Sequence, residues 1–340
     1  MSERSKNFLK LQSKKRPELK NVYNNIVKDL NEVEEKLRLF SSSPNKLISE
    51  ISAYLFQKSG KRIRPALCLL CSKLLGYKGK EHILMSALVE TIHTASLIHD
   101  DIIDNSARRR GRETIHARWG PNITVLLGDY LYIKALGLSL CSEHPRVGQI
   151  LTGISAKMIE GELEEYYLSG NLDLAEKDYL DIIKKKTASL FSASCQIGGV
   201  LAKASKKEED FLVEYGTNLG MSFQIIDDLL DFTADEKTLG KPVLSDLSEG
   251  RITLPLIYTL NNDGQENRKR IVSLLRNREL GRDSVDKILK IIKSNGALDY
   301  TYKKAEEYSL RSKESLSRFP RSLHRDTLSL LSEFVLTRSV

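Results

Sequence analysis

The chain has 340 residues, of which 41% are hydrophobic and 29% are charged, and its formal net charge is +8. No uninterrupted apolar run approaches ~18 residues, and the first twenty residues lack the apolar core of a secretory signal, so neither a transmembrane helix nor secretion is expected. The basic residues are dispersed and no aromatic-rich basic patch accompanies them, which argues against a nucleic-acid partner and allows at most peripheral membrane contact.

Residues 1–20 are polar and basic, and we predict a poorly ordered segment there, before one all-helical domain over residues 21–340. From residue 19 onward apolar residues recur at helical spacing, and no stretch alternates with the period of a strand, so strands are not expected. No linker rich in Gly, Ser or Pro divides the chain, which favours a single all-α domain. The predicted helices cover residues 19–40, 47–58, 66–75, 81–103, 123–141, 149–168, 173–204, 208–232 and 254–260, with further helices towards residue 340.

The loop before the third predicted helix has the sequence GKRIRP, residues 60–65, and the composition of an anion site. Three cations lie between a glycine and a proline that opens the next helix, and helix N-termini favour anions. Lys61 and Arg64 are three residues apart and could hold one phosphate group together. An exposed basic turn is the alternative interpretation.

Cys68 and Cys71, in the next helix, have the spacing of a zinc-binding pair. No second pair or histidine cluster completes a zinc site, and the flanking leucines indicate a buried helix face. With Cys141 and Cys195 the chain has four scattered cysteines, which do not form a disulfide framework. They fit a reducing compartment, so we expect a cytoplasmic protein.

The helix predicted over residues 81–103 ends in LIHDDIID, residues 97–104, and the basic run RRRGR follows. Asp100 and Asp104 are one turn apart on one helix face, and their mutual repulsion predicts a compensating cation. Carboxylate oxygens suit Mg²⁺, which also accepts phosphate oxygens, and the arginines can hold the remaining phosphate oxygens. His93 lies nearly on the same face, and it either donates to a phosphate or is an ordinary core histidine.

The same arrangement recurs in FQIIDDLLD, residues 223–231, on a different helix. If the two helices face each other across a cavity, six carboxylates converge, and several divalent cations or protons must neutralise them. Diphosphates would complete the neutralisation. The lysine run at residues 184–186 is most simply a solvated face, but Lys186 and Thr187 precede an apolar segment and could point inward.

These segments resemble the trans-isoprenyl diphosphate synthases, and more closely their long-chain polyprenyl members. The matching stretches come in that family's order from about residue 60 to 258, and they are GKRIRP, SLIHDDIIDNSARRRG, LLGDYL, KKTASLF, FQIIDDLLDFTADEKTLGKP and DLSEGRITLPLIY. The resemblance implies the all-α isoprenoid synthase fold, with about ten core helices around a central cavity, in a homodimer. Arg108, Glu113 and Arg251 are small departures from the family pattern.

The resemblance also implies roles for individual residues. The metal ligands would be Asp100, Asp104, Asp227, Asp228 and Asp231, with Asp101 beside them. The isopentenyl diphosphate site would be Lys61, Arg64, His93 and Arg110. The allylic diphosphate site would be Arg109, Lys186, Thr187, Gln224 and Lys241, with Lys237 nearby. The expected catalytic groups are the six aspartates together with Lys186 and Lys241.

The implied reaction is the successive head-to-tail (1'-4) condensation of isopentenyl diphosphate with an allylic diphosphate, in which three Mg²⁺ ions assist ionisation. Residues shortly before the first aspartate motif are expected to line the product cavity. Ala95 and Ser96 are small, and Ile92 and Leu88 are not aromatic, which favours products of thirty or more carbons, such as quinone side chains. Candidates for the floor of the cavity are Leu131, Ala135 and Leu138.

Three alternatives stay open at this point. A geranylgeranyl or farnesyl diphosphate synthase of the same family would make a shorter product. A terpene cyclase shares the fold and the first motif, but it has no second DDxxD and no need for the GKRIRP site. A non-catalytic subunit of a heteromeric synthase typically lacks one aspartate motif, whereas this chain has both.

Overall fold

Helices dominate the structure because apolar residues recur every three to four positions along nearly the whole chain. The computed structural model describes residues 18–57, 60–109, 111–233, 244–275 and 282–338. Its helices are α1 (Leu19–Val22), α2 (Val27–Ser41), α3 (Lys46–Phe56), α4 (Ile63–Leu74), α5 (Glu81–Ile103), α6 (Ile115–Trp119), α7 (Pro121–Leu140), α8 (Pro145–Tyr167), α9 (Glu176–Ile183), α10 (Ser189–Leu201), α11 (Lys206–Thr233), α12 (Ser245–Ser248), α13 (Leu254–Asn262), α14 (Gly264–Leu275), α15 (Arg282–Ser294), α16 (Ala297–Leu316) and α17 (Leu323–Thr337). A π-helical segment, Lys184–Ala188, joins α9 to α10. The predicted all-α fold is confirmed.

The described elements depart from the predicted ones at several places, among them two short helices, α6 and α12, where no helix was predicted. A turn over residues 23–26 divides the first predicted helix in two. Helix α8 begins at Pro145, four residues before its predicted start at residue 149, because the first helical turn does not need the N–H that proline lacks. The expectation of no strands is wrong at a short hairpin, in which β1 (Arg108–Arg109) pairs antiparallel with β2 (Arg112–Glu113). Gly111 takes the positive φ of 77° that its tight turn requires.

The helices with the two aspartate motifs, α5 and α11, are held in place by α10, which packs against both. Nearly every side chain of α10 is buried. Helix α11 comes close to the π-helical segment before α10, and Gly220 makes this approach possible, since a Cβ there would lie 2.6 Å from the Cα of Ala188. Farther out, α5 packs along α7 and α11 packs along α16.

The buried apolar side chains form two large clusters and a smaller one. The first surrounds α4, α5 and α10, and the second lies between α11, α13 and α16. The smaller cluster joins α5 to α7 and contains Ile51, Ala95, Ile98, Ile115, Leu127 and Leu131. The aspartate-bearing ends of α5 and α11 therefore project from a packed core, and a rigid support of this kind suits a ligand site.

Helix α7 has two apolar faces. One face packs on α5, and the other exposes Leu126, Ile133 and Leu140, which are 68%, 72% and 70% exposed. Of the helices described, α7 is the one whose length and composition would allow a membrane crossing, which the sequence analysis did not anticipate. A core helix of a soluble protein satisfies the same criterion. The seven-residue spacing places the exposed side chains along one helix face as an apolar stripe, and such a stripe commonly marks a contact with another protein.

Candidate functional site

A cavity of about 840 Å³ lies between the aspartate-bearing ends of α5 and α11. Its wall also takes side chains from the GKRIRP loop, the hairpin, the π-helical segment and residues 246–253. The wall residues that the sequence predicted are Lys61, Arg64, His93, Asp100, Asp104, Arg109, Lys186, Thr187, Gln224, Asp227 and Asp228. Motifs far apart in the sequence therefore share one space. Arg110, Lys237 and Lys241 lie outside the described residues, as does most of the basic N-terminal segment.

The carboxylates of the first aspartate motif face two different places, the cavity and the hairpin. Asp100 and Asp104 both line the cavity from the last turn of α5, as their spacing predicted. Asp104 Oδ1 accepts a hydrogen bond from Arg251 Nη1 at 3.1 Å. Asp101 is rotated by about 100° around the helix and faces the hairpin, where it accepts from Arg109 Nε at 2.6 Å. Asp101 thus holds Arg109 in place, and burial raises the pKa of its carboxyl group.

The second motif is divided in the same way. Asp227 and Asp228 line the cavity. Asp228 accepts from Tyr179 Oη at 2.6 Å and from Gln224 Nε2 at 2.7 Å. Asp231 is 1% exposed and accepts from Ser245 Oγ at 2.9 Å and from the backbone N–H of Asp246 at 3.2 Å.

The expected convergence of six carboxylates is therefore corrected to four. Asp101 and Asp231 are turned away from the large cavity because nearer donors hold them. A metal-binding role for Asp231 stays a prediction that this arrangement does not favour. In its place Asp246, which the sequence analysis did not assign, lines the cavity.

The GKRIRP loop brings its cations to the opposite wall. Arg64 Nη1 lies 3.0 Å from His93 Nε2, and the guanidinium stacks over the ring of Phe191 at 4.6 Å. Because arginine can only donate, Nε2 of His93 is the acceptor in this contact. A donation from His93 to phosphate would then have to use its other ring nitrogen. The carbonyl of Lys61 accepts from Tyr23 Oη at 2.9 Å, which fixes the loop on the turn after α1.

Lys186 enters the cavity from the π-helical segment, where its Nζ pairs with Glu162 at 2.7 Å and with Glu165. Burial alone would lower the pKa of Lys186, but Glu165, Glu162 and Asp100 raise it overall, so the lysine is charged. The interpretation of the lysine run as a solvated face is thus wrong for Lys186. The adjacent Thr187 donates from Oγ1 to Gln224 Oε1 at 2.7 Å, which in turn orients Gln224 towards Asp228.

Two further arginines line the cavity, and neither was predicted from the sequence to contact a ligand. Arg251 joins Asp104 to Asp246, at 3.1 and 3.0 Å, and also pairs with Glu249. Arg338, directly after α17, lies 2.5 Å from Asp227 Oδ1 through Nη2, and its guanidinium stacks over Phe223 at 3.6 Å. Arg251 lies with Asp246 and Glu249 in the matching stretch DLSEGRITLPLIY, but its contact with Asp104 and the contact of Arg338 with Asp227 join residues far apart in the sequence.

The charge of the cavity suits a bound cation. Burial, partly offset by Lys186, raises the pKa of Asp100 to about 7, and burial together with Asp246 raises the pKa of Asp228 to about 8. Among the described residues no three His, Cys, Asp or Glu side chains are close enough to hold an ion by themselves. Mg²⁺ typically uses one or two carboxylates and completes its shell with water and phosphate oxygens. The donor set therefore fits Mg²⁺ that binds together with a diphosphate.

A second, mainly apolar cavity of about 620 Å³ shares Asp100, Lys186 and Asp227 with the first. It extends between α5, α7 and α8. Its other wall residues include Ser96, Val125, Tyr132, Met158, Ile159 and Leu163. Tyr132 stacks on His99 with ring centroids 6.0 Å apart. A polar chamber that shares a wall with an apolar one can hold an amphiphile with an anionic head.

The residues predicted to set product length lie at different depths. Ser96 lines the apolar cavity. Ala95 is fully buried in the small cluster with Leu131, and Ile92 and Leu88 are fully buried in the largest cluster, with Ala135. Leu138 packs against that cluster and is partly buried. Tyr132 and Met158 also line the cavity, from α7 and α8, and were not predicted from the sequence.

The chain is similar to several known proteins over nearly its whole length. A family model described as polyprenyl synthetase matches residues 45–292. The chain is 36% identical over 326 residues to the geranylgeranyl diphosphate synthase of Saccharolobus solfataricus, an alignment covering 93% of this chain and 97% of that protein. It is 35% identical over 297 residues to the octaprenyl diphosphate synthase of Escherichia coli K12, with coverage of 87% and 92%. A polyprenyl synthase from Caulobacter crescentus CB15, solved with calcium and isoprenyl diphosphate, superposes with a TM-score of 0.91 at 32% identity, covering 96% of this chain and 100% of that one.

Proposed function

Since the chain belongs to the polyprenyl synthetase family and is a prenyltransferase, we propose that it is a trans-polyprenyl diphosphate synthase. It would condense isopentenyl diphosphate head-to-tail with an allylic diphosphate in successive rounds. The observation that carries the proposal is the shared cavity, in which both aspartate motifs and the GKRIRP cations face one space. The adjoining apolar cavity supplies room for the growing hydrocarbon chain.

The protein's own groups support a division of the polar cavity into two substrate sites. Lys61 and Arg64 suit the diphosphate of isopentenyl diphosphate, because both line the cavity from one loop. Arg109 and Lys186 suit the allylic diphosphate, because both line the two cavities beside the first aspartate motif, where Arg109 contacts Asp101 and both cations act on Asp100. Holding the two substrates side by side makes the attack of the double bond on the allylic carbon effectively intramolecular.

The cationic side chains also stabilise the diphosphate as it leaves, because charge develops on its oxygens while the allylic carbon ionises. The proton lost after the new bond forms would go to the departing diphosphate. The imidazole that lines the polar cavity, that of His93, already accepts from Arg64 through Nε2. Repeated rounds would then push the hydrocarbon tail into the apolar cavity.

The family is generally metal-dependent, and we assign three Mg²⁺ ions to this site, held by Asp100 and Asp104 on one wall and by Asp227 and Asp228 on the other. Bound Mg²⁺ would supply charge neutralisation for the leaving diphosphate. Arg251 and Arg338 now pair with Asp104 and Asp227. Each arginine contacts only Oδ1 of its carboxylate, so Oδ2 could hold a metal ion, and both guanidinium groups line the cavity where they could also donate to phosphate oxygens.

The proposed product has thirty or more carbons and would serve as a quinone side chain. In support, Ser96 is the one of the four predicted length-setting residues that lines the apolar cavity, and it is small, with no aromatic side chain at positions 88, 92 or 95. The relatives include synthases named for geranylgeranyl and for octaprenyl products, so family membership alone leaves the length open.

We also propose that two copies associate in the cytoplasm through the apolar stripe of α7. On the adjacent α8, Leu163 and Tyr166 are 65% and 71% exposed and extend this surface. An apolar surface of this kind on a monomer usually marks an interface, and a two-fold pairing would bury the same patch on both copies. The four free thiols, Cys68, Cys71, Cys141 and Cys195, fit a reducing compartment.

Product analysis tests the proposal directly. Purified protein is incubated with Mg²⁺, labelled isopentenyl diphosphate and farnesyl diphosphate, and the dephosphorylated products are sized by chromatography. A ladder that ends at thirty or more carbons is expected, and chelation of the metal should abolish it. The variant Asp227→Asn should lose incorporation, whereas Asp178→Asn, an exposed site on α9, should not.

Three results would contradict parts of the proposal. Products ending at fifteen or twenty carbons would refute the length. Incorporation only after addition of a second chain would indicate a subunit of a heteromeric synthase. No incorporation under any of these conditions by a folded protein would refute the activity.

A further inference from the structure

Arg62 is a buried charge that the proposed mechanism does not use. It lies in the GKRIRP loop between Lys61 and Arg64, but it is only 8% exposed. Its backbone adopts the left-handed conformation, with φ 51° and ψ 35°. This conformation is strained for any residue with a Cβ, and it persists only where surrounding contacts impose it.

Two carboxylates from different helices occupy all three nitrogens of the Arg62 guanidinium. Nε and Nη2 donate to the two oxygens of Glu34, on α2, at 2.5 and 3.1 Å. Nη1 donates to Glu90 Oε1, on α5, at 2.5 Å. Burial alone would lower the pKa of Arg62, but both glutamates raise it overall, so the group is charged. Three of the five N–H groups of Arg62 are committed to these carboxylates, so the side chain is held in place by the protein in the cavity wall.

The three residues connect the start of α4 to two other helices at the site. Glu90 lies one turn before His93 on α5, and His93 contacts Arg64. Glu34 lies outside the wall of the cavity, whereas Arg62 and Glu90 form part of it. The backbone carbonyl of Arg62 also accepts from the N–H of Ala66 at 3.0 Å, in the first turn of α4. The direction in which the chain enters α4 therefore depends on the conformation of Arg62.

We propose that Glu34, Arg62 and Glu90 form a positioning clamp, which fixes the left-handed turn at residue 62 and so directs Lys61 and Arg64 to the same diphosphate. The proposal rests on the proposed function, because that diphosphate is the one of isopentenyl diphosphate. Removing one member leaves a buried charge without its partner, and the turn then relaxes. The expected consequence is weaker binding of isopentenyl diphosphate at an unchanged allylic site.

Steady-state kinetics of the full chain test the clamp. Four variants are compared with the wild type: Glu34→Gln, Arg62→Gly, Arg62→Lys and the control Glu35→Gln, which changes an exposed neighbour on α2. Arg62→Gly keeps access to the left-handed turn but removes the guanidinium. The KM for isopentenyl diphosphate should rise about fivefold in Glu34→Gln and about tenfold or more in Arg62→Gly, with kcat and the KM for farnesyl diphosphate within about twofold.

Two further results should separate positioning from general stability. Arg62→Lys should recover part of the loss, because it restores the charge without the planar fork. Glu34→Gln should add nothing in the Arg62→Gly background, since Glu34 reaches the site only through Arg62.

An unchanged KM for isopentenyl diphosphate in Glu34→Gln would overturn the proposal, as would equal rises in both KM values. If Arg62→Gly does not fold, which circular dichroism would show, Glu34→Gln and Arg62→Lys decide the question. A wild-type protein that incorporates no isopentenyl diphosphate would instead refute the proposed function, so the two failures are distinguishable.

Discussion

The contact between Gly161 and the π-helical segment gives the sharpest test of how the allylic site is built. Gly161 lies on α8, directly against the backbone of Lys186. A Cβ at this position would come within 2.7 Å of the Lys186 nitrogen and within 2.9 Å of Lys185 Cβ. In the variant Gly161→Ala, α8 and the segment must therefore separate, and Lys186 moves away from Asp100.

The size of the effect follows from these distances. Nonbonded heavy atoms pack best at about 3.5–4.0 Å, so the backbone must shift by about 1 Å. A misplacement of about 1 Å in a positioning group can cost about 100-fold in rate, which corresponds to about 2.7 kcal/mol of transition-state stabilisation. Overpacking should also lower the free energy of unfolding by about 1–3 kcal/mol.

The control is Gly153→Ala on the same helix, where an added Cβ meets nothing within 4 Å. This variant should keep the wild-type rate and gain about 0.5–1 kcal/mol from helix propensity. The assay measures kcat/KM for farnesyl diphosphate at saturating isopentenyl diphosphate, together with thermal unfolding. If Gly161→Ala is fully folded and its kcat/KM is within threefold of wild type, the assignment of Lys186 to the allylic diphosphate is refuted.

Three further predictions follow from the site. Ser96→Phe places an aromatic ring in the wall of the apolar cavity, so the product ladder should end at least one isoprene unit earlier. An unchanged ladder on chromatography would indicate that the growing hydrocarbon chain does not run along this wall. Asp231→Asn should keep activity within about tenfold but lose about 1–3 kcal/mol of stability, because the hydrogen bonds of Asp231 to Ser245 and Asp246 are structural. Asp227→Asn should instead lose activity with little change in stability. Equal losses of activity in the two variants would show that Asp231 acts at the metal. Burial raises the pKa of Asp100 to about 7 and that of Asp228 to about 8, above the value of about 4 in an unfolded chain, so the folded state binds more protons. The metal-free protein should therefore lose thermal stability as the pH rises from about 5 to about 8, and Mg²⁺ with inorganic diphosphate should reduce this loss. A melting temperature that rises over this pH range would contradict the assignment.

The parts of the site that the sequence predicted are those set by local helix geometry. Asp100 and Asp104 face one cavity because residues four apart share a helix face, and the same rule holds for Gln224 and Asp228. The extent of α5 was also predictable, since its apolar residues recur without interruption by Gly or Pro. The helical spacing of apolar and acidic residues was therefore enough to predict both the fold class and the positions of the metal-binding candidates.

The parts that could not be predicted depend on partners distant in sequence. Asp231 occupies the position in its motif that Asp104 occupies in the first, yet a hydroxyl from residue 245 holds it away from the cavity. Lys186 points into the cavity because it forms ion pairs there with Glu162 and Glu165 of α8. Arg338 reaches Asp227 from the other end of the chain. No spacing rule encodes such pairings, because each depends on how helices pack after they have formed.

The π-helical segment between α9 and α10 has a consequence for which changes of chain length the protein can tolerate. A π turn contains one residue more than an α turn and completes nearly the same rotation, so it absorbs one extra residue between two helices. Deleting one residue of Lys184–Ala188 would restore a regular helix and would leave the faces of α9 and α10 nearly unchanged. It would, however, re-space the side chains within the segment, so Lys186 would no longer meet Glu162 and Glu165. The number of residues in this segment is therefore set by the site and not by the core. Insertions and deletions that surface loops accept should be excluded from this stretch in every functional variant of the chain.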